Sequence, residues 1–301
     1  MVAERLFAAS GLDLAALKRS ALQRDFRPVP LDATATLKIR QTLRRIDSRN
    51  VVARIDGSDP ALKEEVVLCT AHWDHFGRND ALVGDKIFNG ALDNASGVAA
   101  MLEVAKAFTR LKTPPKRSIL FIATTGEERG LLGAKHYAAH PLVPLERTVA
   151  NLNIDIINVY GRTRDVGAIG IDRSSLGDLF SALAAQQGRV ATGDLLPELG
   201  LFYRADHKEF AAAGIPSLWV RRGVDYIGKP ADFGRATMTA YLANDYHKVT
   251  DEVRPDWDLS GAVEDQRLLF RLGHAVAEAS TWPEWKAGDE FKAKRDAMLK
   301  K

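Results

Sequence analysis

A single cysteine in 301 residues, Cys69, excludes an intrachain disulfide and a cysteine-rich zinc site, so any bound metal must be held by histidine and carboxylate. It follows Val66-Val67-Leu68 in an apolar run, the setting of a buried, inert thiol. No run approaches the roughly 18 apolar residues of a transmembrane helix, and Met1-Val2-Ala3-Glu4-Arg5 is no export signal, so no membrane partner is expected. Excess charge is also missing: 42 Lys+Arg against 39 Asp+Glu leave a net +3, with no cationic face to suggest a nucleic acid. Localisation stays open, periplasmic or secreted for a fragment of an exported precursor and cytoplasmic for a complete chain.

What is present is an ordinary globular balance, 46% hydrophobic and 27% charged, at a length suited to one large α/β domain or two small ones. Residues 1–48 carry Leu6, Phe7, Leu12, Leu14, Leu17 and Leu22 in one or two short helices, then Pro28-Val29-Pro30 and a polar stretch, too little for a core of their own. Strand and helix signals alternate through 49–282. Strands are expected at Asn50 to Ile55, Val66 to Ala71, Arg117 to Ala123, Val149 to Ile157 and Pro216 to Val220. Helices are expected at Ala95 to Leu111, Gly130 to His140, Ser174 to Gln187, Lys208 to Ala213 and Ser260 to Ser280. The alternation predicts an α/β fold, a three-layer α/β/α sandwich around a central mixed, mostly parallel sheet. Arg221 to Asn244 reads as a long loop, and 283–301 as a charged, solvated helical tail.

Acids and imidazoles fall where these strands end. His72 closes the second strand, at the sheet edge where open α/β folds place ligands, and Asp74 is two residues on, able to fix its tautomer. Asp93 stands at a helix start in Gly90-Ala91-Leu92-Asp93-Asn94-Ala95-Ser96-Gly97, as an N-cap or as a carboxylate bridging two cations. Glu127-Glu128 is a mutually repelling pair past a buried strand, which a cation or a shared proton would relieve. Asp155 lies in an apolar strand and needs a partner, a metal or a basic side chain. Tyr246-His247 follows the long loop. Two imidazoles, three carboxylates and a spare Glu match two borderline divalent ions, with zinc the best fit to that donor set. His136 and His140 have zincin spacing, but Tyr137 stands where that motif needs Glu, and His75 and His274 have no acid at motif spacing.

The order His-x-Asp, Asp-Asn-Ala-Ser-Gly, Glu-Glu, Asn-x-Asp and Tyr-His resembles the di-zinc exopeptidase family of aminopeptidases and glutamate carboxypeptidases, from about Asn50 to Ala279. The resemblance implies two zinc ions per chain: Asp93 bridging, His72 and Asp155 on one, Glu128 and His247 on the other. It makes Glu127 the general base, Asp74 the residue that orients His72, and Tyr246 a donor to the developing oxyanion. A cis Asp93-Asn94 bond is also implied, as is a place beside the substrate pocket for Asp206 and His207. Residues 1–48 resemble the piece that rejoins the catalytic domain after an inserted protease-associated domain.

The function so implied is hydrolysis of N-terminal residues from peptide substrates by a metal-bridging hydroxide. The alternatives are a carboxypeptidase or dipeptidase of the same fold, or a non-catalytic binding ectodomain. Oligomeric state is not legible.

Overall fold

Seven strands form one mixed sheet in a computed structural model, which describes residues 2–43 and 45–300. Met1, Arg44 and Lys301, within the expected N-terminal segment and tail, lie outside the described residues. The chain divides into residues 1–47 and 48–301. In the first unit α1 (Val2–Ala9) and α2 (Leu14–Ser20) bury no residue. The Asp13 carboxylate caps α2, accepting from the amides of Ala15 at 2.8 Å and Ala16 at 3.1 Å.

The second unit holds β1 (Val51–Ile55), β2 (Val66–His72), a two-stranded hairpin of β3 (Gly77–Arg78) and β4 (Ile87–Phe88), and α3 (Ser96–Thr109). Next come β5 (Ser118–Thr124), α4 (Leu132–Ala139), β6 (Thr148–Ile154), β7 (Asp165–Ile169), α5 (Ser175–Gln186) and β8 (Val190–Thr192). Then follow α6 (His207–Ala212), β9 (Ser217–Arg222), α7 (Phe233–Asn244), α8 (Ser260–Glu278) and α9 (Lys292–Leu299). The sheet order is β1-β5-β2-β6-β9-β7-β8, antiparallel at β1/β5 and β7/β9 and parallel elsewhere.

Central strands are buried on both faces, and alternation along them assigns residues to layers. Val67, Cys69 and Ala71 of β2 pack with α3, α5 and α8, whereas Val66 and Leu68 pack with α4, α6 and the Met298 end of α9. That is the expected three-layer sandwich. Burial pushes the Cys69 thiol up to about 12, so it stays protonated. Two asparagines of β6 meet Thr70 across the sheet: Thr70 Oγ1 donates to Asn153 Oδ1 at 2.7 Å and accepts from Asn151 Nδ2 at 3.0 Å.

Three expectations change. The 221–244 stretch is not loop throughout, because α7 occupies its second half; only Gly234 and Tyr241 of that helix are buried, so it carries no apolar stripe to betray it. β7 and β8 are additional strands, short and without alternation. The tail after Pro283 is solvated along most of its length but anchored at three points: Trp285 and Phe291 are buried in a cluster with Trp219, and Arg295 Nη2 donates to the Thr148 carbonyl at 2.8 Å. The tail's charges include an arginine that caps buried carbonyls, a use invisible in composition.

Candidate metal centre

Strands β2, β5, β6 and β9 run parallel, so their carboxyl ends share one edge and deliver His72, Glu127-Glu128, Asp155 and Arg221-Arg222 to one place. A cavity of about 430 Å³ opens there, lined by Asp93, Glu127, Glu128, Asp155, Tyr246 and His247 among others. His72 is not among its lining residues and lies beneath, 2% exposed.

Asp93 stands between the two imidazoles. Its Oδ1 is 3.1 Å from His72 Nε2 and its Oδ2 is 3.4 Å from His247 Nε2. Asp155 Oδ1 is 3.7 Å from His72 Nε2, and Glu128 Oε2 is 3.0 Å from His247 Nε2. Five side chains thus fall into two groups that share one carboxylate. His72, Asp93 and Glu128 each offer a ligand atom within 4.8 Å of the others'. His72 Nε2 is buried without a hydrogen-bond partner although the Asp93 and Asp155 carboxylates stand beside it, as expected of a lone pair aimed at a cation. This donor set fits a borderline divalent ion.

The electrostatics show the same deficit of positive charge. Burial followed by the Asp155 charge pushes Glu127 up to about 9. Burial also raises Asp155, against the pull of His72. His72 is carried well above the usual imidazole range by Asp155 and Asp93, although burial opposes its charge. His247 is raised to about 9, burial opposing and Asp93 and Glu128 prevailing.

The turn that carries Asp93 is tightly bolted. The Asp251 carboxylate accepts the amides of Leu92 and Asp93, each at 3.0 Å, and the Tyr241 hydroxyl at 3.3 Å. Asn94 ties the turn to β6, its Nδ2 donating to the Ile154 carbonyl at 3.0 Å and its Oδ1 accepting the Ile156 amide at 3.1 Å. The peptide bond between Asp93 and Asn94 is cis. Glycine is required on either side. A Cβ on Gly97 would fall 2.0 Å from Asn94 Oδ1, and one on Gly90, whose φ is +60°, would fall 2.4 Å from the Asp93 carbonyl oxygen.

Asp74 is placed otherwise than its spacing suggests. The atom 3.0 Å from His72 Nδ1 is the backbone oxygen of Asp74, while the carboxylate accepts Thr125 Oγ1 at 2.7 Å and the Gly126 amide at 2.8 Å. The carboxylate therefore fixes the turn before Glu127, and the carbonyl fixes the imidazole. Tyr246 stacks on His247, ring centroids 3.7 Å apart. Asp206 and His207 do not line the cavity; both are buried behind it, Asp206 accepting from Thr124 Oγ1 and His207 packing edge-on to Phe202.

Sequence reasoning missed two residues. His75 Nδ1 lies 2.6 Å from Glu128 Oε1, a contact across 53 residues that no local spacing reveals. Asp251 grips the Asp93 turn from 158 residues away, and its only signal was an acid four residues after His247. His136 and His140 stack on one another at 4.7 Å, away from the cavity.

Residues 50–270 match peptidase family M28. The chain is 35% identical over 266 residues to the alkaline phosphatase isozyme conversion protein of Escherichia coli K12, covering 80% of this chain and 74% of that one. It is 36% identical over 113 residues to a probable zinc metalloprotease of Pyrenophora teres f. teres, covering 37% of this chain and 23% of that one. The structure resembles the Legionella pneumophila LapA aminopeptidase with a TM-score of 0.54 at 20% identity, covering 77% of this chain and 55% of that one. Several curated relatives are much longer, and the matches span only 6% to 25% of their length.

Proposed function

The chain belongs to peptidase family M28, and from that premise we propose that it is a zinc-dependent exopeptidase acting on the amino terminus of peptides. The observation that carries the reading is Asp93, with one oxygen toward His72 and the other toward His247. A carboxylate so placed suits two zinc ions, one held by His72 and Asp155 and the other by His247 and Glu128, with Asp93 shared. Zinc at these positions would act as a Lewis acid and lower the pKa of a coordinated water.

The remaining roles belong to the protein. Glu127 takes the proton released as water attacks the carbonyl and delivers it to the leaving amine; its carboxylate lines the cavity beside Glu128 and Asp155, and the positive charge of bound zinc would keep it ionised and able to accept. The fold keeps it from the solvent, 8% exposed at the cavity floor. Tyr246 also faces the cavity, and burial raises its phenol, so it keeps its proton and can donate to an oxyanion. The Asp74 carbonyl holds the His72 ring by its second nitrogen, leaving Nε2 for metal. Residues 49–282 then act as the catalytic domain, with 1–48 and the tail as accessory segments.

Metal analysis of the purified chain, run beside a panel of aminoacyl-p-nitroanilides and their N-acetylated forms, tests the proposal. Two zinc ions per chain and cleavage restricted to free amines are expected. Cleavage that tolerates the acetyl group would point to a carboxypeptidase or dipeptidase, and absence of both tight metal and turnover would leave a binding module.

A further inference from the structure

The carboxyl end of β9 brings two consecutive arginines to the cavity that holds the acidic cluster. Successive strand residues leave opposite faces. The Arg221 guanidinium lies over Trp219 at 4.3 Å from the ring centroid, and that of Arg222 lies over Tyr160 at 5.0 Å. Among the described residues neither has a carboxylate within 4.0 Å, and neither side chain donates a hydrogen bond to any protein atom. Arg222 is 9% exposed, and its Nη1 is buried with no partner.

The other strongly buried arginines differ. Arg117 pairs with Glu65, Arg189 with Asp265 at 2.7 Å, and Arg295 donates to the Leu145 and Thr148 carbonyls. Burying a guanidinium without an acceptor opposes folding, and stacking on Tyr160 does not supply the missing acceptor. A bound anion does. Burial and then the neighbouring Arg222 charge push Arg221 below its usual range, with the Asp155 and Asp194 carboxylates pulling the other way, and an anion at the cavity wall that both arginines line would relieve their repulsion. Lys135 and Arg204, at the exposed mouth of the same cavity, carry the same sign. Leu196, Leu201 and Met238 complete the wall beside the arginines and offer an apolar surface for the methylenes of a side chain.

We propose that Arg221 and Arg222 form a carboxylate-binding subsite, so that the preferred substrate carries an acidic side chain or a free terminal carboxylate close to the cleaved bond. The proposal rests on the exopeptidase reading for the cleaved bond, but the subsite itself does not. Guanidinium groups suit this ligand because they meet a carboxylate through paired N–H donors. A cationic first side chain is correspondingly disfavoured.

Two substrate pairs separate the sources of the carboxylate. Glutamyl- against leucyl-p-nitroanilide reads a side-chain carboxylate, and Leu-Gly against Leu-glycinamide reads a terminal one. In at least one pair the acid-bearing substrate should lead by about tenfold or more in kcat/KM, and that lead should fall about tenfold in Arg221→Met and Arg222→Met. Equal rates within both pairs, or a lead that survives Arg221→Met, overturns the subsite; Arg221, less buried than Arg222, carries this comparison alone if Arg222→Met fails to fold. If no substrate is cleaved at all, the exopeptidase reading fails and binding decides the subsite. Glutamate, and not lysine, should then raise the Tm of the metal-stripped protein by about 2 °C or more, with the rise absent from Arg221→Met. No such rise overturns the subsite as well.

Discussion

Asp251 gives the sharpest quantitative test of how the centre is held. Its carboxylate, 2% exposed, accepts the two amides that flank the start of the Asp93 turn at 3.0 Å each, and the Tyr241 hydroxyl at 3.3 Å. Asp251→Ala leaves two buried backbone donors without acceptors, each worth about 1–3 kcal/mol, so the metal-free protein should lose about 2–6 kcal/mol. For a chain of this size that is a fall of roughly 4–12 °C in Tm. Because the same amides position the carboxylate shared by the two proposed zinc positions, zinc affinity should also fall by about 10–100-fold. Asp251→Asn keeps an acceptor oxygen but turns an N–H donor toward one of the amides, so it should fall between the two. Thermal melts of the stripped proteins and zinc competition against a chromogenic chelator supply the two numbers. If Asp251→Ala melted within about 1 °C of the wild type, the amides would have to find other acceptors, and the argument that Asp251 bolts the turn would be wrong.

Glu127→Gln should keep its zinc and lose about 10²–10⁴-fold in kcat, and full activity in that variant would remove Glu127 as the base. His75→Leu should weaken zinc binding about 10–100-fold through Glu128, with His75→Asn, whose amide nitrogen overlays Nδ1, partly restoring it; equal affinity in all three proteins would reduce His75 to packing. His207, fully buried, is pushed down to about 3 by burial and then by the Arg173 and Arg221 charges, so the folded state holds it neutral. The unfolded chain takes up a proton near pH 6.5 and the folded chain does not until near 3, so this contribution to stability is complete above pH 6.5 and lost as pH falls. Relative to His207→Phe the wild type should lose about 3 kcal/mol between pH 6.5 and 4 in urea titrations, and a gap that stays constant across that range would refute the assignment.

What could be read from the sequence was whatever local chemistry announces. β2 and β6 are runs whose burial leaves no choice but the centre of a sheet, and His72 and Asp155 stand just where those runs stop. Glu127-Glu128 was informative because two adjacent acids past a buried strand need a compensating charge. The fold class followed from the same alternation. α7 was not legible, since a helix lying at the cavity rim with ten of its twelve residues outside the core has no reason to keep an apolar stripe. Asp74 was half legible: its nearness to His72 is set by two residues of chain, but which of its oxygens faces the ring depends on Thr125 and Gly126, fifty residues away. Asp251 and His75 were illegible for the same reason, because contacts made between distant segments leave no spacing to find.

The backbone around the centre carries strain as well as charge, and the two have a common cause. Ile156, directly after Asp155, has φ +58°, and His247 has φ +59°. The left-handed region costs an L-residue about 1–2 kcal/mol, more when the side chain is β-branched as in isoleucine, and glycine would relieve it at either place. At position 247 glycine would remove the imidazole. At 156 the unusual φ turns the chain so that its amide reaches Asn94 Oδ1 while the preceding carboxylate reaches toward His72. Four carboxylates held out of water at one edge, Asp93, Glu127, Glu128 and Asp155, oppose folding further. A sequence free to optimise stability alone would discard both features. Under the proposed zinc reading, strain beside Asp155 and at His247 and the crowding of these acids both follow from holding ligands for a cation, so zinc should stabilise this chain far more than a generic surface site would.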